Sequence, residues 1–504
     1  MAARSYVLAL DLGTTGNRAI VFDERQRIVS SAYREFTQYF PKPGWVEHDA
    51  DEIRVSTLAV ARRALSGVPA SRLAAVGVTN QRETIVVWDR RTGRPLHRAL
   101  VWQDRRTSQR CAQLKASGLG ERLHRTTGLF ADPYFSATKL EWLLRHVPGL
   151  RAKARRGEAL AGTVDSWILW HLTGGAAHVT DTSNASRTLL FDLRRLRWEP
   201  WLLDLFGVPE RMLPRVVPSS AVSARTVRSA IGVEVPIAGI AGDQQAASFA
   251  QGCAEPGVVK NTYGTGLFAV ECTGRTPRFS RDLLTTVAWS LGDLRRTDYA
   301  VEGSVFIGGA AVQWLRDGLG LIRRSADVER LAASVEDAGG AVFVPALAGL
   351  GAPYWDPDAR GLLIGLTRGT TRAHIARATL EAICYQTRDI LTIMRRDTRH
   401  GFDRLRVDGG ATADDLLMQL QADALGIPVE RPRVLETTAL GAAGLAGLAV
   451  GVWGSAEAFL RARRVERVFR PRRSTRGAME RGYGRWAEAV RRCRGWASAA
   501  QGRA

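Results

Sequence analysis

Two packed α/β lobes with a cleft between them are the fold class that the sequence predicts. The chain of 504 residues is longer than a single hydrophobic core usually supports, which indicates two or three domains. Short apolar runs typical of strands alternate with helical segments in both halves of the chain. No low-complexity linker separates the halves, so we expect the lobes to pack together, with the boundary near residue 250.

The first half opens with a strand, a polar turn and a second strand. Residues 6–10 and 19–22 are apolar, and glycines and threonines occupy the turn at 13–16. This pattern is typical of a β-hairpin. Further strands are predicted at 74–79, 84–88 and 237–240, and helices at 138–145 and 246–250.

The second half repeats this pattern. A strand at 257–262 leads to the turn Gly264-Thr265-Gly266, and a second strand follows at 267–272. Strands are also predicted at 341–345 and 405–407, and helices at 373–388 and 414–425. We assign residues 1–250 to the first lobe, 251–470 to the second lobe and 471–504 to a basic C-terminal tail.

Positive charge is concentrated near the C-terminus. The net charge of the chain is +21, and residues 461–504 contain fourteen arginines and three glutamates. A run of charge is usually a solvated face, and with five lysines in the chain the basicity is almost all arginine, so we expect no nucleic-acid partner. Trp486, Val490 and Cys493 recur at helical spacing, which predicts a terminal helix docked on the second lobe.

Five widely scattered cysteines indicate a reducing compartment. No C-x-x-C pair occurs, which argues against a disulfide framework or a thiolate zinc site. The N-terminal apolar run is too short for a signal peptide, and no window approaches the ~18 apolar residues of a membrane span. We therefore expect a cytoplasmic protein without a membrane span.

Several familiar catalytic and nucleotide motifs are excluded. A Walker A loop needs a Gly-Lys dipeptide, and none occurs. Gly264-x-Gly266-x-x-Ala269 fits the dinucleotide pattern formally, but a strand follows it where that motif requires a helix. The H-E-x-x-H zinc motif and the G-x-S-x-G nucleophile elbow are also absent.

Three glycine-rich turns follow apolar strands, at 11–15, 261–266 and 408–411. Glycines let backbone N–H groups approach a phosphate closely, and threonine hydroxyls add donors. Asp11 and Asp243 each end a strand beside a glycine, which places them at a cleft edge in an α/β sheet. Phosphoryl transfer needs carboxylates of this kind, for magnesium and for the proton of the acceptor hydroxyl. The alternative for Asp243 is an ordinary helix cap.

Longer segments carry a family resemblance. Residues 134–142 and 361–381 match the two signature segments of the FGGY carbohydrate kinases. More specific stretches resemble the members that act on glycerol, and these lie at 41–49, 79–84, 132–136, 241–245 and 261–266. The resemblance runs from about residue 6 to residue 470. It implies two actin/hexokinase-like (ribonuclease H-like) lobes with the active site in the cleft between them.

The resemblance implies an ATP-dependent kinase that forms sn-glycerol 3-phosphate by direct in-line phosphoryl transfer, with Mg²⁺. It assigns Asp243 as the general base, and Asp11 with Asp243 as metal ligands. Residues implied to bind glycerol are Arg82, Glu83, Tyr134, Asp243 and Gln244 through its hydroxyls, and Trp102 and Phe268 through its carbons. Residues implied to bind ATP are Thr14, Thr15, Gly16 and Arg18 in the first lobe, and Thr265, Gly309, Gln313, Gly410 and Asp414 in the second.

This chain departs from the family pattern at a few positions. Gly16-Asn17 replaces a pair of serines, which removes a hydroxyl aimed at phosphate, and Leu12 replaces a glutamine. Asp414 stands where an asparagine contacts the nucleotide. The predicted surface loop at 228–236 is shorter than in members regulated by fructose bisphosphate, so we expect no such regulation.

Two other functions remain open at this point. One is a different kinase of the family, acting on a larger sugar or polyol, although Trp102 would fill the room that such a substrate needs. The other is a catalytically weak sensor of glycerol or ATP, for which Gly16 and Asp414 are the supporting features. The resemblance also implies a homo-oligomer, either a dimer or a tetramer.

Overall fold

The structure is a computed structural model that describes residues 5–497. Strands of the first half are β1 (Tyr6–Leu12), β2 (Gly16–Phe22), β3 (Ile28–Glu35), β4 (Gln38–Tyr39), β5 (Glu47–His48), β6 (Leu73–Asn80), β7 (Ile85–Asp89), β8 (Ala99–Leu100), β9 (Ala159–Thr163), β10 (Val179–Asp181), β11 (Phe191–Asp192), β12 (Arg197–Trp198), β13 (Arg215–Val217), β14 (Ser220–Arg225) and β15 (Pro236–Gly242). Helices of this half are α1 (Ala50–Leu65), α2 (Ser108–Ala116), α3 (Gly120–Thr127), α4 (Ser136–His146), α5 (Leu150–Arg156), α6 (Val164–Leu172), α7 (Thr182–Ala185), α8 (Pro200–Phe206), α9 (Arg228–Ile231) and α10 (Asp243–Ala250).

The second half contains nine further strands and seven helices among the described residues. Its strands are β16 (Val259–Tyr263), β17 (Leu267–Gly274), β18 (Leu284–Ser290), β19 (Thr297–Val305), β20 (Val342–Val344), β21 (Leu362–Ile364), β22 (Leu405–Asp408), β23 (Val429–Pro432) and β24 (Val465–Phe469). Its helices are α11 (Gly309–Asp317), α12 (Asp327–Ala332), α13 (Arg372–Thr398), α14 (Asp415–Leu425), α15 (Thr437–Ala449), α16 (Ala456–Leu460) and α17 (Arg476–Cys493).

A six-stranded sheet organises the first half, in the order β14-β15-β6-β1-β2-β3. The predicted hairpin is present, because β1 and β2 are antiparallel and pair Asp11 with Arg18. The three central strands β1, β6 and β15 run parallel. Their carboxyl ends therefore meet at one edge, which is where open α/β sheets bind ligands.

A seven-stranded sheet organises the second half, in the order β18-β19-β17-β16-β22-β23-β24. Again an antiparallel hairpin, β16 and β17, leads into parallel pairings of β16 with β22 and of β22 with β23. Thr262 and Asp408 are register partners at the carboxyl ends of β16 and β22. Each sheet therefore presents one edge of polar turns.

Helix α15 joins the two halves, because it comes late in the chain yet packs on β1, β6 and β15 of the first sheet and on α10. Small residues permit this close approach. A Cβ added at Gly77 of β6 would lie 2.2 Å from the carbonyl oxygen of Ala442, and one at Gly441 would lie 1.8 Å from that of Ala246. The backbones of the two halves are therefore in direct contact.

Helix α13 is ten residues longer at its C-terminal end than the predicted helix, and it is followed by the C-cap residue Arg399, whose φ is +59°. Buried Ile390, Leu391 and Met394 continue the apolar face beyond the predicted end.

The segment expected to be a surface loop at 228–236 contains the single-turn helix α9. Asp414 caps α14 and does not begin it. Within residues 5–497, no helix combines the length and the apolar character that crossing a bilayer requires.

Helix α17 occupies much of the basic tail. Its apolar residues Trp486, Val490 and Cys493 are buried in the core of the second half. The side chain of Trp486 donates from Nε1 to Asp389 Oδ2 of α13 at 2.9 Å. The arginines of the helix lie on its outer face, as expected for an amphipathic helix packed on a core.

Candidate active site

The two aspartates predicted from the strand ends lie at the same sheet edge. Asp11 of β1 is the register partner of Thr79 in β6, and Thr79 is also paired with Ala241 of β15. Asp243 follows two residues later, as the first residue of α10. The parallel pairing of β1, β6 and β15 therefore brings together residues that are far apart in sequence.

An aromatic wall adjoins this edge and combines residues from both halves of the chain. The ring of Trp102 packs edge-on against Tyr134 and Phe268, with centroids 5.8 and 6.1 Å apart. Trp102 Nε1 donates to Thr14 Oγ1 at 3.0 Å, which fixes the indole beside the first glycine-rich turn. The structure thus collects all three predicted aromatic residues, with Phe268 supplied by β17.

Arg82 is the centre of a buried ion network. Its Nε lies 3.1 Å from Asp243 Oδ1, and its Nη1 lies 2.5 Å from Glu302 Oε2. A second arginine, Arg187, donates to Glu83 Oε1 at 2.7 Å and to Glu302 Oε1 at 3.1 Å. The side chain of Asp243 is 32% exposed, whereas the other four are almost fully buried. Asp243 is therefore the member that faces the cleft.

Sequence reasoning missed Arg187 and Glu302. Glu302 lies in β19 among the buried residues Ala300, Val301 and Gly303, and an acid within this buried stretch is the signal that could have found it. Burial would raise the pKa of Glu302, but Arg187 and Arg82 outweigh it and hold the pKa at about 2. Glu302 is therefore a permanent negative charge that anchors both guanidinium groups.

The pKa of Asp243 is raised by burial, and the positive charges of Arg82 and Lys260 oppose this rise. Its Oδ1 also accepts the N–H of Gln244 at 2.7 Å. Burial makes the carboxylate more basic, while the arginine keeps it oriented. This combination is suited to accepting a proton from an alcohol.

The amide oxygen of Gln244 accepts a hydrogen bond from a lysine that sequence reasoning missed. Lys260 Nζ donates to Gln244 Oε1 and to Thr262 Oγ1, each at 2.5 Å. Thr262 in turn donates to Asp408 at 2.5 Å. Because an amide oxygen has two lone pairs, the Gln244 side chain can still both accept and donate hydrogen bonds to a ligand.

Asp11 has the electrostatic surroundings expected of a cation site. Burial and the negative charges of Asp243 and Glu436 raise its pKa to about 7, and Arg18 opposes them. Crowded carboxylates of this kind are relieved by a bound cation. Magnesium usually takes one or two carboxylates, together with waters and substrate phosphates, so Asp11 and Asp243 fit it. Across residues 5–497 there is no group of three or more His, Cys, Asp or Glu side chains placed to hold a metal without such additional ligands.

The remaining first-half residues assigned to ATP lie in the hairpin of β1 and β2. Arg18 pairs with Glu436 at the start of α15, and its guanidinium lies 5.2 Å from the ring centroid of Tyr33. Gly16 is tightly enclosed, since an added Cβ would lie 2.7 Å from the hydroxyl oxygen of Tyr33. A serine at this position would therefore clash. Asn17 is turned away from the turn and donates to Ile53 of α1.

The five second-half residues assigned to ATP all line one cavity of about 350 Å³. These residues are Thr265, Gly309, Gln313, Gly410 and Asp414. Val312, Leu380 and Leu417 supply apolar walls. Glycine-rich turns at one side and apolar side chains at the other suit a phosphorylated ligand with a flat base.

Asp414 is the unusual member of this cavity. Its Oδ1 accepts the N–H of Leu417 at 2.7 Å and so caps α14, while its Oδ2 is buried without a partner. Burial and the nearby charge of Glu329 raise its pKa to about 7. An unsatisfied acceptor inside the cavity is available to a ligand that donates a hydrogen bond.

Comparison with known proteins identifies relatives over the whole chain. The N-terminal domain of the FGGY family of carbohydrate kinases matches residues 6–250, and the C-terminal domain of that family matches residues 259–450. The chain is 56% identical over 509 residues to the glycerol kinase of Bordetella parapertussis, covering 100% of both chains. It is 58% identical over 496 residues to the glycerol kinase of Trichlorobacter lovleyi, covering 98% of this chain and 99% of that one.

A solved structure of the same family is similar to this chain over nearly its whole length. The crystal structure of Plasmodium falciparum glycerol kinase with ADP superimposes with a TM-score of 0.88 at 33% identity. The match covers 97% of this chain and 98% of that chain. The predicted fold class is thereby confirmed.

Proposed function

The chain belongs to the FGGY family of carbohydrate kinases, and from this premise we propose that it phosphorylates glycerol with ATP. The observation that carries the proposal is the likeness, over the full chain, to several glycerol kinases at more than half identity. The products are sn-glycerol 3-phosphate and ADP. The residues, the metal and the chemical steps below are our assignments.

Asp243 is the general base in this mechanism. Its carboxylate is partly exposed to the cleft and held by Arg82 at 3.1 Å. It accepts the proton of the terminal glycerol hydroxyl as the oxygen attacks the γ-phosphorus of ATP. The P–O bond to ADP breaks in line, so the phosphoryl group moves to glycerol and the electron pair leaves on the β-phosphate oxygen.

The other glycerol hydroxyls bind Arg82, Glu83, Tyr134 and the N–H groups of Gln244. A three-carbon triol has little surface to bury, so its recognition depends on pairing every hydroxyl. Trp102 and Phe268 cover its carbons and limit the size of the acceptor. A pocket built on such paired polar groups rejects analogues that lack a hydroxyl.

Asp11 and Asp243 would hold Mg²⁺, which would neutralise phosphate charge. The transferred phosphate and the β-phosphate are held by the first glycine-rich turn and the strand after it, through Thr14, Thr15, the backbone of Gly16 and Arg18. Arg18 would exchange Glu436 for phosphate as its partner. The rest of ATP is held in the cavity of the second half by Thr265, Gly309, Gln313, Gly410 and Asp414.

We expect the cleft to close during the reaction, because the two substrates are bound mainly by different halves of the chain. The base and most acceptor contacts lie in the first half, and most nucleotide contacts lie in the second. Closing the halves aligns the hydroxyl with the γ-phosphate and excludes water, which would otherwise compete as an acceptor.

We also propose a reducing compartment, the cytoplasm, and assembly into a dimer or tetramer. All five cysteines lie in the described part of the chain, and each is a buried free thiol. Proteins of oxidising compartments usually pair their cysteines. Size-exclusion chromatography with light scattering at several protein concentrations tests the assembly, and a monomer throughout would refute it.

The decisive experiment is a coupled ADP-release assay with Mg-ATP. Glycerol, xylulose, ribulose, erythritol and no acceptor are compared in parallel, with Asp243→Asn and the exposed control Asp317→Asn. We expect glycerol to be the preferred acceptor, and Asp243→Asn to lower kcat by about 10²–10⁴-fold because the base is lost. The control should retain wild-type kcat.

Other outcomes would contradict specific parts of the proposal. Preferred turnover of a larger polyol would refute glycerol as the substrate. Full activity of Asp243→Asn would refute its role as the base. ATP binding without turnover of any acceptor would favour a sensor.

A further inference from the structure

A second cavity lies on the outer side of the second half. It has a volume of about 510 Å³ and lies between α13, α14 and the start of α17. Five arginines line it, and these are Arg388, Arg395, Arg472, Arg473 and Arg476. We call this the arginine cavity. It shares no lining residue with the nucleotide cavity described above.

Positive charge in the arginine cavity exceeds the negative charge. Its two carboxylates are Asp423, which pairs with Arg472 at 2.7 Å, and Glu480, which pairs with Arg388 at 2.7 Å. Among residues 5–497, Arg473 and Arg476 have no side-chain hydrogen bond or ion pair. Three arginine charges therefore lack a balancing carboxylate.

Arg388 presents an ordered charge at the wall of the arginine cavity. Its guanidinium is held over the ring of Tyr483, 4.0 Å from the centroid, and its side chain is 18% exposed. Its Nη2 donates to Glu480 Oε2 at 2.7 Å. A side chain that is already ordered loses little conformational entropy when an anion binds beside it.

The start of α17 adds partial positive charge at the same cavity. The helix has 18 residues and begins at Arg476. The N–H of Arg476 already donates to the carbonyl oxygen of Arg473 in the 3-10 turn before the helix, so this donor is not free for a ligand. The helix dipole still places partial positive charge at this end, which favours an anion.

We propose that the arginine cavity binds a small phosphate-bearing anion with two or more negative charges. Arginine side chains pair with phosphate through two parallel N–H donors, and this favours phosphate over a simple halide. The volume is larger than one phosphate group needs and lies within the usual range of small-ligand sites. This inference does not depend on the reaction proposed above.

The arginine cavity is connected to the nucleotide cavity by two helices. Leu380 and Leu417 line the nucleotide cavity, whereas Arg388 and Asp423 line the arginine cavity. Leu380 and Arg388 are eight residues apart on α13, a rise of about 12 Å. An anion bound in the arginine cavity therefore contacts the same helices that line the nucleotide cavity.

Isothermal titration calorimetry with inorganic pyrophosphate tests the proposal on the full chain at fixed ionic strength. The test variant is Arg473→Ser/Arg476→Ser, which removes two exposed side chains that have no bonds to the protein. The matched control is Arg91→Ser/Arg94→Ser, which removes the same charge from an exposed turn of the first half. We expect Kd to rise at least tenfold in the test variant and to stay within twofold of wild type in the control.

Comparison of the variants separates this site from the active cleft, since pyrophosphate binding in the cleft is common to all three proteins. Equal pyrophosphate affinity in all three would overturn the proposal. An equal loss in both double variants would also overturn it, because net charge alone would then explain the binding. Citrate that binds as tightly as pyrophosphate would overturn the assignment to phosphate.

Discussion

Lys139 shows how one buried charge supports the walls of the proposed glycerol pocket. Its side chain is fully buried, and Nζ donates to the backbone carbonyls of Pro133 at 2.6 Å and Tyr134 at 2.9 Å. Nζ also lies 3.5 Å from the carbonyl oxygen of Trp102. Burial lowers the pKa of Lys139 to about 8, and Asp104 and Glu83 oppose this shift. Lys139 is therefore a positioning residue for the walls that Trp102 and Tyr134 form.

Replacing Lys139 should loosen these walls. We expect Lys139→Met to raise KM for glycerol about tenfold, because each carbonyl bond contributes about 1 kcal/mol and the freed carbonyls stay buried. KM for ATP should change less than twofold. Steady-state kinetics with each substrate varied in turn measures both, and Lys115→Met on the exposed face of α2 is the control. An equal rise in both KM values would indicate a general loss of structure.

At the scale of one element, the N-terminus of α14 is expected to make the stability of the fold depend on pH, through Asp414. Because the pKa of Asp414 is raised to about 7, the native state binds more protons than the unfolded state between pH 4 and pH 7. Stability contributed at this position therefore falls as pH rises through that window. Above pH 7 the charged carboxylate is a net cost to the folded state.

Asp414→Asn should remove this cost and keep the cap, since asparagine is as good an N-cap residue as aspartate. We expect the variant to be more stable than wild type by about 1 kcal/mol at pH 8, and the difference to shrink toward pH 4. Urea unfolding of both proteins at pH 5 and pH 8 measures it. A stability difference that is independent of pH would contradict the assignment of a raised pKa.

Helix α17 contributes to the stability of the second half through one large side chain. Trp486 is fully buried, and it shares Asp389 with Tyr483 and Tyr354. The pKa of Asp389 is raised by burial, and these three donors oppose that rise. The helix is therefore anchored by apolar packing together with a satisfied buried acid.

Trp486→Ala should lower the free energy of unfolding by about 3–5 kcal/mol, because it leaves a cavity and removes a donor from Asp389. Thermal and urea unfolding measure this loss. Trp496→Ala is the matched control, since Trp496 is 62% exposed and should tolerate the change within about 0.5 kcal/mol. Similar losses in the two variants would contradict the anchoring role of Trp486.

At the scale of the whole molecule, Glu302 connects the two halves. It lies in β19 of the second sheet and accepts hydrogen bonds from Arg82 and Arg187, which both belong to the first half. All three side chains are almost fully buried. Removing one partner of a buried ion pair leaves an uncompensated charge, which is the costly case.

We expect Glu302→Gln to lower the free energy of unfolding by about 3 kcal/mol at pH 7 and to lower kcat as well, because Arg82 loses its anchor beside Asp243. The pKa of Glu302 is depressed to about 2, so its contribution is complete above pH 4.5 and declines as pH falls toward 2. Urea unfolding and steady-state kinetics measure the two effects. Glu234→Gln, in an exposed pair with Arg225, is the control. Unchanged stability in Glu302→Gln would refute the connecting role.

Local sequence was sufficient for the elements and for much of the candidate site. The hairpin at the start of each half could be predicted because apolar runs and glycine turns depend on neighbouring residues. Asp11 near the end of β1 and Asp243 directly after β15 could be predicted as strand-end aspartates in the same way, and the parallel pairing of the strands places them at one sheet edge.

Only the tertiary structure decided which charges meet. Arg82 and Glu302 are 220 residues apart, and Arg187 is 104 residues from Glu83, so no local pattern links them. A buried charge must find its partner wherever packing places one, and that partner is set by how the two sheets face each other. The sequence by itself therefore determined the fold class and the residue types of the cleft, whereas packing decided how those residues are paired.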